Sequence, residues 1–133
     1  MIVLDPDLVV LYFRGHPAVA RRLLATPPSE LAIPSVAIHE VLVAIGEGPG
    51  AARRRGELDR LLESVRTPWF GLAEARVAAR LRHAAIELPA FDLMLASTAL
   101  CYDAAVATPR PEAFAQVADL RTIDWSADDS APS

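Results

Sequence analysis

The sequence contains no lysine: all thirteen of its basic residues are arginines. That absence excludes chemistries that depend on a lysine amine, among them the P-loop, Schiff-base and Ser-Lys enzymes. Cysteine is nearly absent too. Cys101 stands alone, so no internal disulfide forms, and its apolar surroundings predict a buried, unreactive thiol. His39 adjoins Glu40 but has a different helical direction, and His16 and His83 lack metal-ligand spacing with any cysteine or histidine, which argues against a zinc centre. No apolar run approaches the roughly eighteen residues that span a bilayer. Asp5 and Asp7 occupy the place where a signal peptide carries positive charge, so the expected location is cytoplasmic, with no membrane contact. A formal charge of −4 argues against a protein that coats nucleic acid through a broad basic surface, and it leaves room for an acidic site that works through a metal.

What is present fits one domain. A chain of 133 residues, 53% of them apolar, builds a single hydrophobic core. Residues 1–4 form an apolar run closed by Asp5, and Pro6 suits the first turn of a helix that continues to Phe13 and stops at Gly15. Pro17 opens a second helix, and Pro27-Pro28 breaks the chain before a strand near residues 31–34. Ser35 is placed to cap a helix over residues 36–45, which ends in the Gly-Pro-rich turn 46–50. Leu58, Leu61, Leu62 and Val65 then recur at helical spacing.

Residues 67–70 suit a short edge strand interrupted by Pro68, and residues 72–86 a helix with Val77 and Leu81 inward. Asp92 stands where a cap would start an almost wholly apolar, buried helix through Leu100, and residues 104–107 and 121–123 suit late strands. Short strands alternating with helices predict a parallel sheet covered on both faces, with ligands at the carboxyl ends of the strands. Residues 1–125 make the domain; the polar, acidic tail 126–133 is expected to be disordered.

Three acids stand out. Glu40 interrupts an apolar helix whose neighbours one turn away, Val36, Ala37, Val43 and Ala44, offer no opposite charge, so its partner must come from elsewhere. Asp5 and Asp92 each have an ordinary explanation as helix caps, and Asp7 as a residue favouring the helix dipole. Taken together they predict more. An acid after the first strand, one in an apolar helix and one opening a buried helix can meet at one sheet edge. Like charges a few ångströms apart disfavour each other's ionisation, whereas Mg²⁺ or Mn²⁺ accepts carboxylate oxygens and also binds phosphate. Metal-assisted phosphodiester hydrolysis is the chemistry this arrangement suits.

The order Asp5-Pro6-Asp7 after an apolar strand, then Glu40, then Phe91-Asp92-Leu93-Met94-Leu95-Ala96, then Ala107-Thr108 before Phe114, and finally Ile123-Asp124-Trp125 resembles the PIN-domain ribonucleases, especially the VapC type of toxin. The resemblance implies a PIN-like three-layer α/β/α fold with a short parallel sheet of about five strands, a homodimer, and Mg²⁺- or Mn²⁺-dependent cleavage of RNA. It also implies a cognate antitoxin that buries apolar surface and inserts a basic side chain among the acids.

Asp5, Glu40 and Asp92 match the family's metal-binding, catalytic acids. Asp7 stands where the family has asparagine or serine, and Pro6 where it has threonine or serine. Arg110 departs most, since relatives carry an acid or asparagine there. Either its guanidinium pairs with the acids and displaces the metal, leaving a catalytically impaired binding module, or Asp7 completes a set of four acids and Arg110, with Thr108, holds a substrate phosphate. A third reading takes Asp5-Pro6-Asp7-Leu8-Val9 as the nucleophile motif of a haloacid-dehalogenase-type phosphatase, whose further acidic pair would have to be Asp128-Asp129. The basic groups Arg53 to Arg55 and Arg76, Arg80 and His83 are read as solvated faces.

Overall fold

A computed structural model describes residues 1–127 of the chain. Its elements run β1 (Ile2–Leu4), α1 (Pro6–Phe13), α2 (Pro17–Ala25), β2 (Leu31–Ala32), α3 (Ser35–Ile45), α4 (Ala51–Ser64), α5 (Leu72–His83), α6 (Ala90–Cys101), β3 (Ala105–Ala107) and β4 (Thr122–Ile123). A single 3-10 turn, Pro111–Phe114, lies between the last two strands. Of the expected tail, residues 128–133 lie outside the described residues; Ser126 is tied back to Asp124 through its backbone N–H, 2.9 Å from Oδ1.

The strands are parallel in the order β2-β1-β3-β4. Val3, Leu4, Val106 and Ala107 are all fully buried, as a parallel sheet covered on both faces requires. The sheet has four strands among the described residues where about five were expected. The expected edge strand at residues 67–70 does not form; only the preceding residue, Arg66, makes a single parallel bridge, to Ala32. Pro68 has no N–H to extend the ladder. Its carbonyl instead accepts from Ser35 N at 2.9 Å.

Ser35 is itself a correction. It is the first residue of α3, the cap position belongs to Pro34, and no side chain caps the helix. The Ser35 hydroxyl instead accepts from Phe70 N at 3.3 Å, fastening the segment that follows α4. Helix α5 ends at His83, short of the expected Ile86, because Ala85 adopts φ 63° and a left-handed residue closes a right-handed helix.

Helix α6 is the apolar centre. It buries Leu93, Leu95, Ala96, Ser97, Thr98 and Ala99, and its two buried hydroxyls are satisfied within the helix, Ser97 to Leu93 O at 2.7 Å and Thr98 to Met94 O at 2.9 Å. It packs on α5 and α3, and α3 in turn on α1 and α4. The expectation for Cys101 fails: it is the last residue of α6 and exposed. Partial desolvation still pushes its thiol pKa up, with Glu74 adding to the shift, which disfavours the thiolate.

Strand order places the functional crevice. From β1 the chain crosses to β2 on one side and then returns to β3 on the other, so β1 and β3 flank the point where connections diverge. The ladder extends one residue beyond each strand, Asp5 N to Ala107 O and Thr108 N to Ile123 O, both 2.9 Å. Asp5 and Thr108 thereby stand side by side at the carboxyl ends of the two central strands.

Candidate acidic site

Asp5 caps α1 and also lies beside the Arg110 guanidinium. As N-cap of α1 its Oδ1 accepts from Asp7 N at 2.8 Å, while its Oδ2 accepts from the Thr108 hydroxyl at 2.7 Å. It is fully buried. That burial raises its pKa; the Thr108 and Asp7 hydrogen bonds and the Arg110 charge oppose the rise. Thr108 is also fully buried, and its hydroxyl accepts from Arg110 N at 3.1 Å. One threonine thus fixes the carboxylate that follows β1 and the backbone that follows β3.

Asp92 does not cap α6. Pro89 holds that position and Asp92 lies in the first helical turn, so its carboxylate is free to leave the helix axis. It receives both arms of the Arg110 fork, Nη1 to Oδ2 at 3.0 Å and Nη2 to Oδ1 at 2.7 Å. Such bidentate pairs are the strong class of charge-assisted hydrogen bond.

Arg110 is the centre of the cluster. Besides Asp92, its Nη2 lies 3.4 Å from Asp5 Oδ2 and its Nε 2.9 Å from Asp7 Oδ2. The Asp7 contact is short yet is not a hydrogen bond, and Nε is a buried donor without a partner. Distance alone makes it an ion pair; the N–H direction does not serve it. The guanidinium also lies over the Phe114 ring, 5.5 Å from its centroid. The surrounding acids push its pKa still higher, Asp92 most of all, so the cation is permanent.

Glu40 joins the acids in a different way. With Asp7, Asp92, Arg110 and Phe91 it lines a cavity of about 280 Å³, but its only ion pair among the described residues is with His39, at 3.8 Å. His39 stacks on Phe91, with ring centroids 5.2 Å apart and planes at 16°. His39 adjoins Glu40 in sequence, one position along the same helix. A partner 52 positions away was not visible from helical spacing.

Among the described residues, no three histidine, cysteine or acidic groups are disposed to hold a metal ion. The donor chemistry nonetheless suits a hard divalent cation, since Asp5, Asp7, Asp92 and Glu40 offer carboxylate oxygens. Arg110 is the stand-in cation: its guanidinium fills the space between the aspartates. The acids at 128 and 129 that a phosphatase would need lie outside the described residues.

The fold can be compared with known proteins. Structural similarity at about one-fifth identity extends over nearly whole chains. FitAcB from Neisseria gonorrhoeae aligns with TM-score 0.82 and 20% identity, covering 94% of this chain and 98% of that one. VapBC-1 from nontypeable Haemophilus influenzae aligns with TM-score 0.80 and 19% identity, over 96% and 100%. A toxin-antitoxin complex from Klebsiella pneumoniae aligns with TM-score 0.72 and 20% identity, over 94% and 98%. Among curated protein sequences none matches the chain. The PIN-domain family model matches residues 2–120, nearly everything from β1 to the approach to β4, and the chain belongs to the PIN-domain family.

Proposed function

We propose that this chain is a metal-dependent endoribonuclease, the toxin of a toxin-antitoxin pair. The observation that carries the reading is the gathering of Asp5, Asp7 and Asp92, from the end of β1, the start of α1 and the start of α6, around one positive charge, with Glu40 on the wall of the same cavity. Acids brought together by folding repel one another unless a cation sits among them. Asp5, Asp92, Glu40 and Asp7 are the residues that would hold Mg²⁺ or Mn²⁺. Such an ion would supply Lewis-acid stabilisation of charge developing on a phosphodiester. Asp5, fixed by Thr108 and the Asp7 N–H, provides a rigid anchor; Asp7, 58% exposed, is the acid that can adapt.

The neighbours' names support the partner half of the proposal, since one is a toxin-antitoxin complex. Trp69 and Leu72, 81% and 67% exposed, leave apolar surface of the kind that a second protein covers. A homodimer and an antitoxin are proposed on this ground. No helix among the described residues is long and apolar enough to cross a membrane.

Incubation of the full chain with a pool of single-stranded and structured RNAs in Mn²⁺, with strand ends mapped by sequencing, tests the reading. Cleavage by the wild type that disappears in both Asp5→Asn and Asp92→Asn supports it. A second reading, a binding module whose acidic site is neutralised, is favoured by the bidentate Arg110-Asp92 contact. It predicts no cleavage by the wild type.

A further inference from the structure

Arg110 draws three acids from separate elements to one guanidinium. It meets Asp5, Asp7 and Asp92 while its side chain remains 30% exposed. A side chain whose only task was to hold the fold together would be expected to satisfy all its buried donors. Arg110 leaves Nε without a hydrogen bond, so its seat is strong at Asp92 and poor at Asp7.

Its backbone is anchored. The N–H donates to Thr108 Oγ1 at 3.1 Å, the carbonyl accepts from Ala113 N at 3.0 Å, and Pro109 and Pro111 flank it, fixing φ on either side. Movement of the charge therefore falls to the side chain. The side chain is already 30% exposed, so the guanidinium can turn toward solvent without disturbing β1, β3 or α6, and the cavity of about 280 Å³ that it lines with Asp7, Glu40 and Asp92 is the space a metal ion would then use.

We propose that Arg110 is a built-in counter-ion that masks the acidic site, so that Asp5 and Asp92 take up a divalent cation only when its side chain swings out toward solvent. The proposal rests on the reading of these acids as a ribonuclease metal site and names how that site is kept closed. A metal ion and a guanidinium repel each other and draw on the same carboxylate oxygens, so they compete. Metal affinity is then lowered by the stability of the closed arrangement.

The test is calorimetric titration of MnCl₂ into the full chain as wild type, Arg110→Gln and Arg110→Lys, with melting curves in the absence and presence of Mn²⁺. Arg110→Gln is expected to bind Mn²⁺ about tenfold or more tightly than wild type, the scale set by losing charge-assisted hydrogen bonds. Arg110→Lys, which keeps the charge and loses the fork, is expected to fall between. The Mn²⁺-induced rise in melting temperature should be larger for Arg110→Gln than for wild type, and adding Asp92→Asn should remove it. Wild-type affinity equal to or tighter than that of Arg110→Gln overturns the mask, as does an absence of Mn²⁺ binding in every variant. If Arg110→Gln fails to fold, the comparison of Arg110→Lys with wild type carries the same two outcomes. Failure of the mask is separable from failure of the ribonuclease reading: equal affinities with RNA cleavage sink the mask alone, and the expected order of affinities without cleavage by any variant sinks the ribonuclease alone.

Discussion

The Thr108 hydroxyl donates to Asp5 Oδ2 at 2.7 Å, although the two residues are 103 positions apart in the chain. The bond joins the ends of the two central strands at the place where connections leave the sheet in opposite directions. Both residues are fully buried, so neither has water as an alternative partner. The same hydroxyl oxygen receives the Arg110 N–H, and the acid and the cation are therefore positioned by one side chain.

Thr108→Val should lower stability by about 1–3 kcal/mol, the cost of leaving a buried acceptor unsatisfied. Urea denaturation should show a lower midpoint at unchanged slope. Thr108→Ser, which keeps the hydroxyl, should recover most of the loss. A Thr108→Val variant no less stable than Thr108→Ser would mean that the hydroxyl's hydrogen bonds contribute little to folding.

The stability difference between wild type and Arg110→Gln should depend on pH. Burial raises the Asp5 pKa above its ordinary 3.8 and Arg110 restrains that rise, so removing Arg110 raises it further. A carboxyl whose folded pKa is raised contributes most below its unfolded pKa, and the contribution is lost as pH rises through the folded value. The variant's deficit should therefore be widest near neutrality and narrow as pH falls toward Asp5's ordinary range. Denaturation at a series of pH values reads this directly, and a deficit that widens on acidification contradicts it.

Glu40→Gln should separate function from folding. Among the described residues Glu40 has no ion pair with Arg110, and His39 Nδ1, 3.8 Å from it, belongs to a side chain that is 59% exposed. Loss of the charge should change stability by no more than about 0.5 kcal/mol. Cleavage of RNA by the same variant should fall below detection. A fully active, normally stable variant would remove Glu40 from the metal set.

Phe114 supports the site from beneath. It is the largest fully buried side chain described and carries the Arg110 guanidinium over its ring. Phe114→Ala should cost about 3–5 kcal/mol through the cavity left behind. Phe114→Leu, keeping most of the volume but no π face, should cost less while loosening Arg110, which a tighter Mn²⁺ affinity than wild type would report. An unchanged affinity would mean that the ring contact plays no part in seating the guanidinium.

Much of the fold was legible because it depends on local rules. Pro6 and Pro17 each open the helix they were expected to open, and β3 and β4 fall within the expected spans. The near-unbroken apolar run after Asp92 became a helix buried on most sides, as a sequence without a polar face must. Readings failed where two local solutions were close in energy. Ser35 was read as a cap because serine favours that place, yet its hydroxyl serves Phe70, 35 residues on. Cys101 was read as buried from its neighbours, but it falls on the last residue of α6, where the helix emerges.

The sequence by itself determined the element order, the sheet class and which acids were worth watching, because hydrophobic periodicity, proline and the burial cost of an unpaired charge act over a few residues. Only the tertiary structure decided what those acids meet. Whether Arg110 pairs with Asp92, stands clear of the aspartates or reaches the solvent depends on where the ends of β3 and α6 come to rest. That is fixed by strand register and core packing summed over the whole chain. Electrostatics at contact distance changes steeply with each ångström, so the state of the site follows from a geometry that no short stretch of residues contains.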